Sequence, residues 1–213
     1  MSLARLSKDE LIKIIDHERE ERNIEYKPSM PWEKTNKKRF EVIKCILGMA
    51  NIRDGGFIVF GVEQRDGRFI QSGMIPDHIM SFDQDKIDDV VKDFADPFVE
   101  THFTVVEYKS KEFVVIQVNE FDEIPVICKD NHKLEGKVFL REGAIYNRPR
   151  GKSETTEVST QAGMREIIDM AVDKSLHRFV ERVGRIVVSE ITGLMMPKVT
   201  EEKKFEDQEK SMR

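Results

Sequence analysis

Apolar residues fall along this chain in blocks of helical and strand-like spacing, and the clearest block runs from Asn36 to Val62. From Phe40 one stripe holds Phe40, Ile43, Leu47 and Ala50, and a second beside it holds Val42, Cys45, Ile46 and Met49. That spacing predicts a helix apolar over much of its circumference, which belongs inside, against a sheet. Asp54-Gly55-Gly56 should end it, because glycine takes the positive φ that stops a helix and reverses the chain. Phe57-Ile58-Val59-Phe60 then reads as a strand covered on both faces.

The flanks follow the same logic. Ser7 with Glu10 three residues on predicts a capping box opening a helix through Leu11, Ile14 and Ile15 that ends near Arg22. Ile24 to Lys27 alternates as a strand, Pro28 and Pro31 stop it, and 28–35 becomes a loop. Arg65-Asp66-Gly67-Arg68 is a turn signal, with 68–73 returning as a hairpin partner. Residues 77–96 carry seven aspartates against two lysines and predict one acidic amphipathic helix. Residues 101–108 and 112–119 predict a β-hairpin across Lys109-Ser110-Lys111, the second strand more central. Short strands are expected at Ile124 to Ile127 and Lys137 to Arg141. From Gln161 to about Ile191 the pattern is one long helix with apolar surface enough for a packing arm or a dimer seam.

The predicted fold class is therefore α/β (α+β), a mixed and largely antiparallel sheet flanked by helices, with a long C-terminal helix. Three parts are expected: a domain over 1–160, the helix over 161–196, and a charged, disordered tail over 197–213.

Charge changes this picture locally. The 213 residues carry a net charge of −5, so bulk electrostatics do not favour a polyanion and any basic surface must be confined. Two cysteines cannot build a disulfide framework, no stretch approaches a membrane span, and no signal-type apolar core opens the chain. A cytoplasmic protein without membrane contact is expected. Gly151-Lys152-Ser153 lacks the earlier glycine of a phosphate-binding loop, since position 146 is Tyr146. The five histidines are scattered, without ligand spacing.

Two basic clusters stand out. Lys27, Lys34, Lys37, Lys38, Arg39 and Lys44 face only Glu33 and Glu41; Lys137, Arg141, Arg148, Arg150 and Lys152 face only Glu142. Tyr26, Trp32, Phe40, Phe139 and Tyr146 interleave with them, which suits phosphate neutralisation with base stacking. The expected nucleic-acid contacts are Lys27, Lys34, Lys37, Lys38, Arg39, Arg141, Arg148, Arg150 and Lys152, bordering one groove. A third set, Glu20, Glu25 and Glu63, sits at a helix end, a strand and a strand exit. These are either surface glutamates or oxygen ligands for Mg²⁺ or Mn²⁺.

Taken in order, Glu20-x4-Glu25-Tyr26-Lys27, Lys44-x5-Ala50-Asn51 running into Asp54-Gly55-Gly56, Phe60-Gly61-Val62-Glu63, Pro125-Val126 and Phe139-Leu140-Arg141-Glu142-Gly143 resemble the Schlafen-type Alba-2 domain over residues 10–172. The resemblance implies an α/β fold with DNA or RNA as ligand. It also implies an alternative, a divalent-metal-dependent endoribonuclease whose three acids would be Glu20, Glu25 and Glu63. The third acid is usually aspartate, so Glu63 lengthens one arm. Eukaryotic members build their RNA cradle from two lobes, and a homodimer would supply the second here. The remaining alternative is a protein-interaction module without nucleic-acid ligand.

Overall fold

In the computed structural model, which describes residues 6–33, 37–134 and 136–195, the central helix forms as its periodicity predicts. Lys34 and the tail at 197–213 lie outside the described residues. The helices are α1 (Lys8–Ile15), α2 (Arg39–Ala50), α3 (Pro76–Ser81), α4 (Gln84–Phe94) and α5 (Gln161–Met195). The strands begin with β1 (Ile24–Lys27), β2 (Gly56–Phe60), β3 (Val62–Arg65), β4 (Arg68–Gln71), β5 (Ala95–Asp96), β6 (Thr101–Tyr108) and β7 (Lys111–Val118). They continue with β8 (Ile127–Cys128), β9 (His132–Leu134), β10 (Lys137–Leu140), β11 (Tyr146–Asn147) and β12 (Thr156–Glu157).

The main sheet has the order β1-β2-β7-β6. β1 runs parallel to β2, with Glu25 beside Ile58 and Lys27 beside Phe60, so α2 is the crossover of a βαβ unit. The other two pairings are antiparallel, which makes the sheet mixed, as the patterning requires. Alternation along β2 explains its continuous apolar run. Ile58 and Phe60 enter the cluster under α2 and α4, whereas Phe57 and Val59 enter the cluster under α1. Nine of the twelve α2 residues are buried, so each large aliphatic there is worth about 1.5–3 kcal/mol of apolar transfer.

Local signals place the ends. Gly55 has φ +62°, and a Cβ there would lie 2.0 Å from the Val118 carbonyl oxygen. Asp66 and Gly67, both at positive φ, turn β3 into β4, and Lys109 and Ser110 do the same between β6 and β7. Ser7 and Glu10 form the capping box, the Ser7 amide donating to the Glu10 carboxylate at 2.8 Å. At the far end of α2, the fully buried Asn51 side chain donates to the carbonyls of Val126 (2.8 Å) and Tyr146 (2.9 Å) and accepts from the Val126 amide (2.8 Å), tying three segments together.

Three expectations are corrected. α1 stops at Ile15 rather than near Arg22, because the Tyr26 hydroxyl takes the Ile14 carbonyl at 2.7 Å and the next residues turn, Glu18 at φ 54°. The acidic stretch 77–96 is two helices, since Asp83 accepts from the Asp85 and Lys86 amides and restarts the chain as α4. β8 is only Ile127–Cys128, and the partner of β10 is β9, which carries too few apolar residues to show in the pattern.

The chain divides into two compact units, Met1–Val172 and Asp173–Arg213. The first holds the sheet, α1 to α4 and the start of α5. In the second, Leu176, Phe179, Val180 and Val183 of α5 are exposed, at 58%, 63%, 60% and 41% of their surface.

Candidate nucleic-acid interface

Strand β1 ends where β2 gives way to β3, beside the start of α2, and this junction brings all three predicted glutamates to one cleft of about 500 Å³. Glu20, Glu25 and Glu63 line it together with Lys27, Lys38 and Glu41. Their charges are compensated within the protein. Glu25 accepts from Lys27 Nζ at 2.8 Å and from Arg148 Nη1 at 2.8 Å, so both of its oxygens are engaged. Lys27 stands on the face of β1 that carries Glu25, as strand alternation dictates. Glu63 pairs with Arg65 at 2.6 Å, and Ser153 Oγ donates to Glu20 at 3.3 Å. Burial pushes the Glu20 carboxyl above the usual glutamate range, and the Glu25 charge adds to the rise.

The donor chemistry of three carboxylates suits Mg²⁺ or Mn²⁺, yet the residues as arranged do not form a cation site. Lys27 and Arg148 take both Glu25 oxygens, and among the described residues no group of three His, Cys, Asp or Glu side chains is placed to share an ion. Cys45, beside this network, is buried, and burial pushes its thiol up to about 11.

The basic residues separate into two kinds. Arg148, expected to contact phosphate from a loop, is fully buried: it holds Glu25 and donates to the carbonyls of Glu21 (3.3 Å) and Ile24 (3.4 Å). It therefore ties the segment after β11 to β1. Lys27 is mostly enclosed by Glu25 and by Glu41 at 3.8 Å. Arg141 is exposed but held by both oxygens of Glu157, which that contact keeps below the usual glutamate range. Lys37 and Lys38 are exposed at the start of α2, and Arg39 is half-buried with its guanidinium over the Phe40 ring at 4.8 Å.

Arg150 and Lys152 line a second cleft, of about 820 Å³, with Arg53, Arg165 and Asn147. The two basic clusters thus border different clefts, Lys38 at the acidic one and Arg150 at this one. Base stacking on the interleaved aromatics is also corrected. Tyr26, Trp32, Phe40 and Tyr146 are core residues with 8% exposure or less; Phe139 is the half-buried exception, under Lys44 at 5.0 Å. Sequence reasoning did not single out Arg53, Arg165 or Asn147, which have no local cluster to announce them.

Among solved structures, the chain is similar to the DIP2311 protein from Corynebacterium diphtheriae, at 14% identity and TM-score 0.44. That match covers 68% of this chain and 23% of the other, so the chain spans about a quarter of that relative's length. It is also similar to the N-terminal domain of a RecG-related protein from Nitrosomonas europaea, at 20% identity and TM-score 0.42, covering 74% of this chain and 97% of that one. No curated protein sequence matches. The family model described as "Schlafen, AlbA_2" matches residues 20–149, more than half of the sequence, and the chain belongs to that family.

Proposed function

We propose that the protein binds nucleic acid, DNA or RNA, through phosphate contacts from Lys37, Lys38 and Arg39 at the start of α2 and from Arg150 and Lys152 beside the start of α5. The observation that carries this reading is the separation of charge on an acidic chain. Exposed cations gather at two helix starts, where backbone N–H groups also favour anions, while the aspartates gather on α3 and α4. Membership of the Schlafen AlbA_2 family supports the same ligand class. Neutralised phosphates set the salt dependence of affinity, so each lost contact should flatten the slope of log affinity against log salt by about one. Replacing Lys37, Lys38 and Arg39 together by alanine should weaken binding to all sequences alike. Unchanged affinity and slope would remove this site, and absence of any salt-sensitive affinity in the parent protein would favour a protein-interaction module.

The cleavage reading rests on Glu20, Glu25 and Glu63 sharing one cleft, and it requires Lys27 and Arg65 to leave their carboxylates first. RNA loss that depends on Mn²⁺ and disappears in Glu63→Gln would establish it; intact RNA would end it. The exposed stripe of Leu176, Phe179, Val180 and Val183 supports a homodimer through α5. Sedimentation should show a dimer that Phe179→Glu converts to monomer, and a monomeric parent at micromolar concentration would refute it. The setting we assign is the cytoplasm, where free cysteines such as Cys45 and Cys128 stay reduced.

A further inference from the structure

The cleft at the start of α5 contains a polar side chain that the protein leaves without a partner. Asn147 is 3% exposed, and its backbone is spent on the β11–β12 pair, yet its side-chain amide has no hydrogen bond among the described residues. That amide lies against the first turn of α5, since a Cβ on Gly163 would sit 3.3 Å from Asn147 Nδ2. The Asn147 side chain lines the cleft wall, so a group that arrives from outside can supply the partner its amide lacks within the fold.

The surroundings define that group. Thr160 caps α5, its hydroxyl accepting from the Gly163 amide at 3.2 Å and its carbonyl from the Met164 amide at 3.1 Å. The Gln161 and Ala162 amides remain at the open helix start, the end that attracts anions. Arg53, Arg150, Lys152 and Arg165 line the same space. Of the acids there, Glu157 is held by Arg141, and Glu166 by a two-point pair with Arg22 at 2.7 and 2.9 Å and by Arg150 at 3.3 Å; with Asp169 these three acids stand against four lining cations. At about 820 Å³ the cleft is in the range of small-molecule sites.

We propose that this cleft binds a phosphate monoester, with Asn147, the Gln161 and Ala162 amides, Arg150, Lys152 and Arg165 as its donors. A monoester carries about −1.5 to −2 at neutral pH, more than an internal diester, and gains most where a helix start and several cations converge. The proposal deepens the nucleic-acid reading and rests on it, because Arg150 and Lys152 serve both. The monoester is either the terminal phosphate of a strand or that of a free mononucleotide.

The test titrates the ¹⁵N-labelled full chain with AMP and with inorganic phosphate. The Gln161 and Ala162 amides and the Asn147 side-chain amide should shift and saturate. Asn147→Asp, which sets a carboxylate where the amide stood, should weaken AMP binding about tenfold or more, the scale of a charge-assisted contact. Arg165→Ala, at an exposed position, should weaken it severalfold and serves if the first variant does not fold. Single strands with a 5′-phosphate or a 5′-hydroxyl then identify the source. Preference for the phosphorylated strand assigns a strand end, and equal strand binding with saturable AMP assigns a free nucleotide. Unmoved resonances, shifts that never saturate, or AMP binding that neither variant alters would overturn the site. Nucleic-acid binding that persists and still falls with the Lys37, Lys38 and Arg39 alanine variant would show that only the pocket had failed.

Discussion

Arg148 and Arg150 stand on either side of Pro149, and the structure gives them opposite tasks. Arg148 is fully buried on Glu25 and two backbone carbonyls, whereas the Arg150 side chain is 83% exposed and meets Glu166 at 3.3 Å. Chemistry does not distinguish them; the presence of a carboxylate inside the fold does. A cation that finds its counter-ion in the core becomes part of the scaffold, and its neighbour stays at the surface.

The largest test of this contrast is Arg148→Met. Removing one partner of a buried ion pair leaves Glu25 short of a counter-charge, and urea unfolding should show a loss of about 3–5 kcal/mol. Stability within about 0.5 kcal/mol of the parent would mean that Lys27 alone suffices for Glu25. Arg150→Ala should behave oppositely. Stability should stay within about 0.5 kcal/mol, as at other exposed sites, while the salt slope of nucleic-acid affinity flattens by about one. A variant that loses stability but keeps its slope would make Arg150 a second scaffold residue.

The smallest test uses pH, because Glu166, which pairs with Arg150, and Glu20, which neighbours Glu25, are shifted in opposite directions. Hydrogen bonds from Arg22 hold Glu166 below the ordinary glutamate value of 4.5. Its contribution to stability is therefore present above that value and is lost as pH falls through the folded pKa. Glu20 is raised, chiefly by burial, so its ionisation opposes folding as pH climbs from 4.5 through the higher folded value. Glu166→Gln should thus destabilise at neutral pH and lose that deficit on acidification. Glu20→Gln should stabilise slightly at neutral pH and be silent below 4.5. Parallel pH profiles for the two variants would refute the contrast.

Much of this scaffold was legible because its signals are local. The stripe through Phe40, Ile43 and Leu47, the glycine pair after Asp54 and the turn at Lys109 each act within a few residues. Features set by distant partners were not legible. Phe82 breaks the acidic stretch because it is buried, its ring centroid 5.1 Å from that of Phe60 and 5.8 Å from that of Trp32, and nothing near residue 82 announces those neighbours. The burial of Arg148 depends on Glu25, 123 positions earlier, so counting charges around Pro149 places it with the wrong group. Glu20, Glu25 and Glu63 line one cleft, but Arg65 and Arg148 were not anticipated as counter-ions of Glu63 and Glu25. That the Asn147 side chain has no hydrogen-bond partner among the described residues is visible only in three dimensions.

The strand order β1-β2-β7-β6 also carries a kinetic consequence. Each half of the sheet is closed within its own stretch of chain, β6 to β7 by a two-residue turn and β1 to β2 by the α2 crossover. The two halves meet along one seam, where Gly56 faces Val118 and Phe60 faces Val114. Short loops close faster than long ones, so the seam should form after both halves have taken shape. Gly55 stands at the mouth of that seam, with no room for a methyl group before the Val118 carbonyl. Its missing side chain thus acts on docking as well as on the turn: a substitution there would leave two competent halves that cannot zip together.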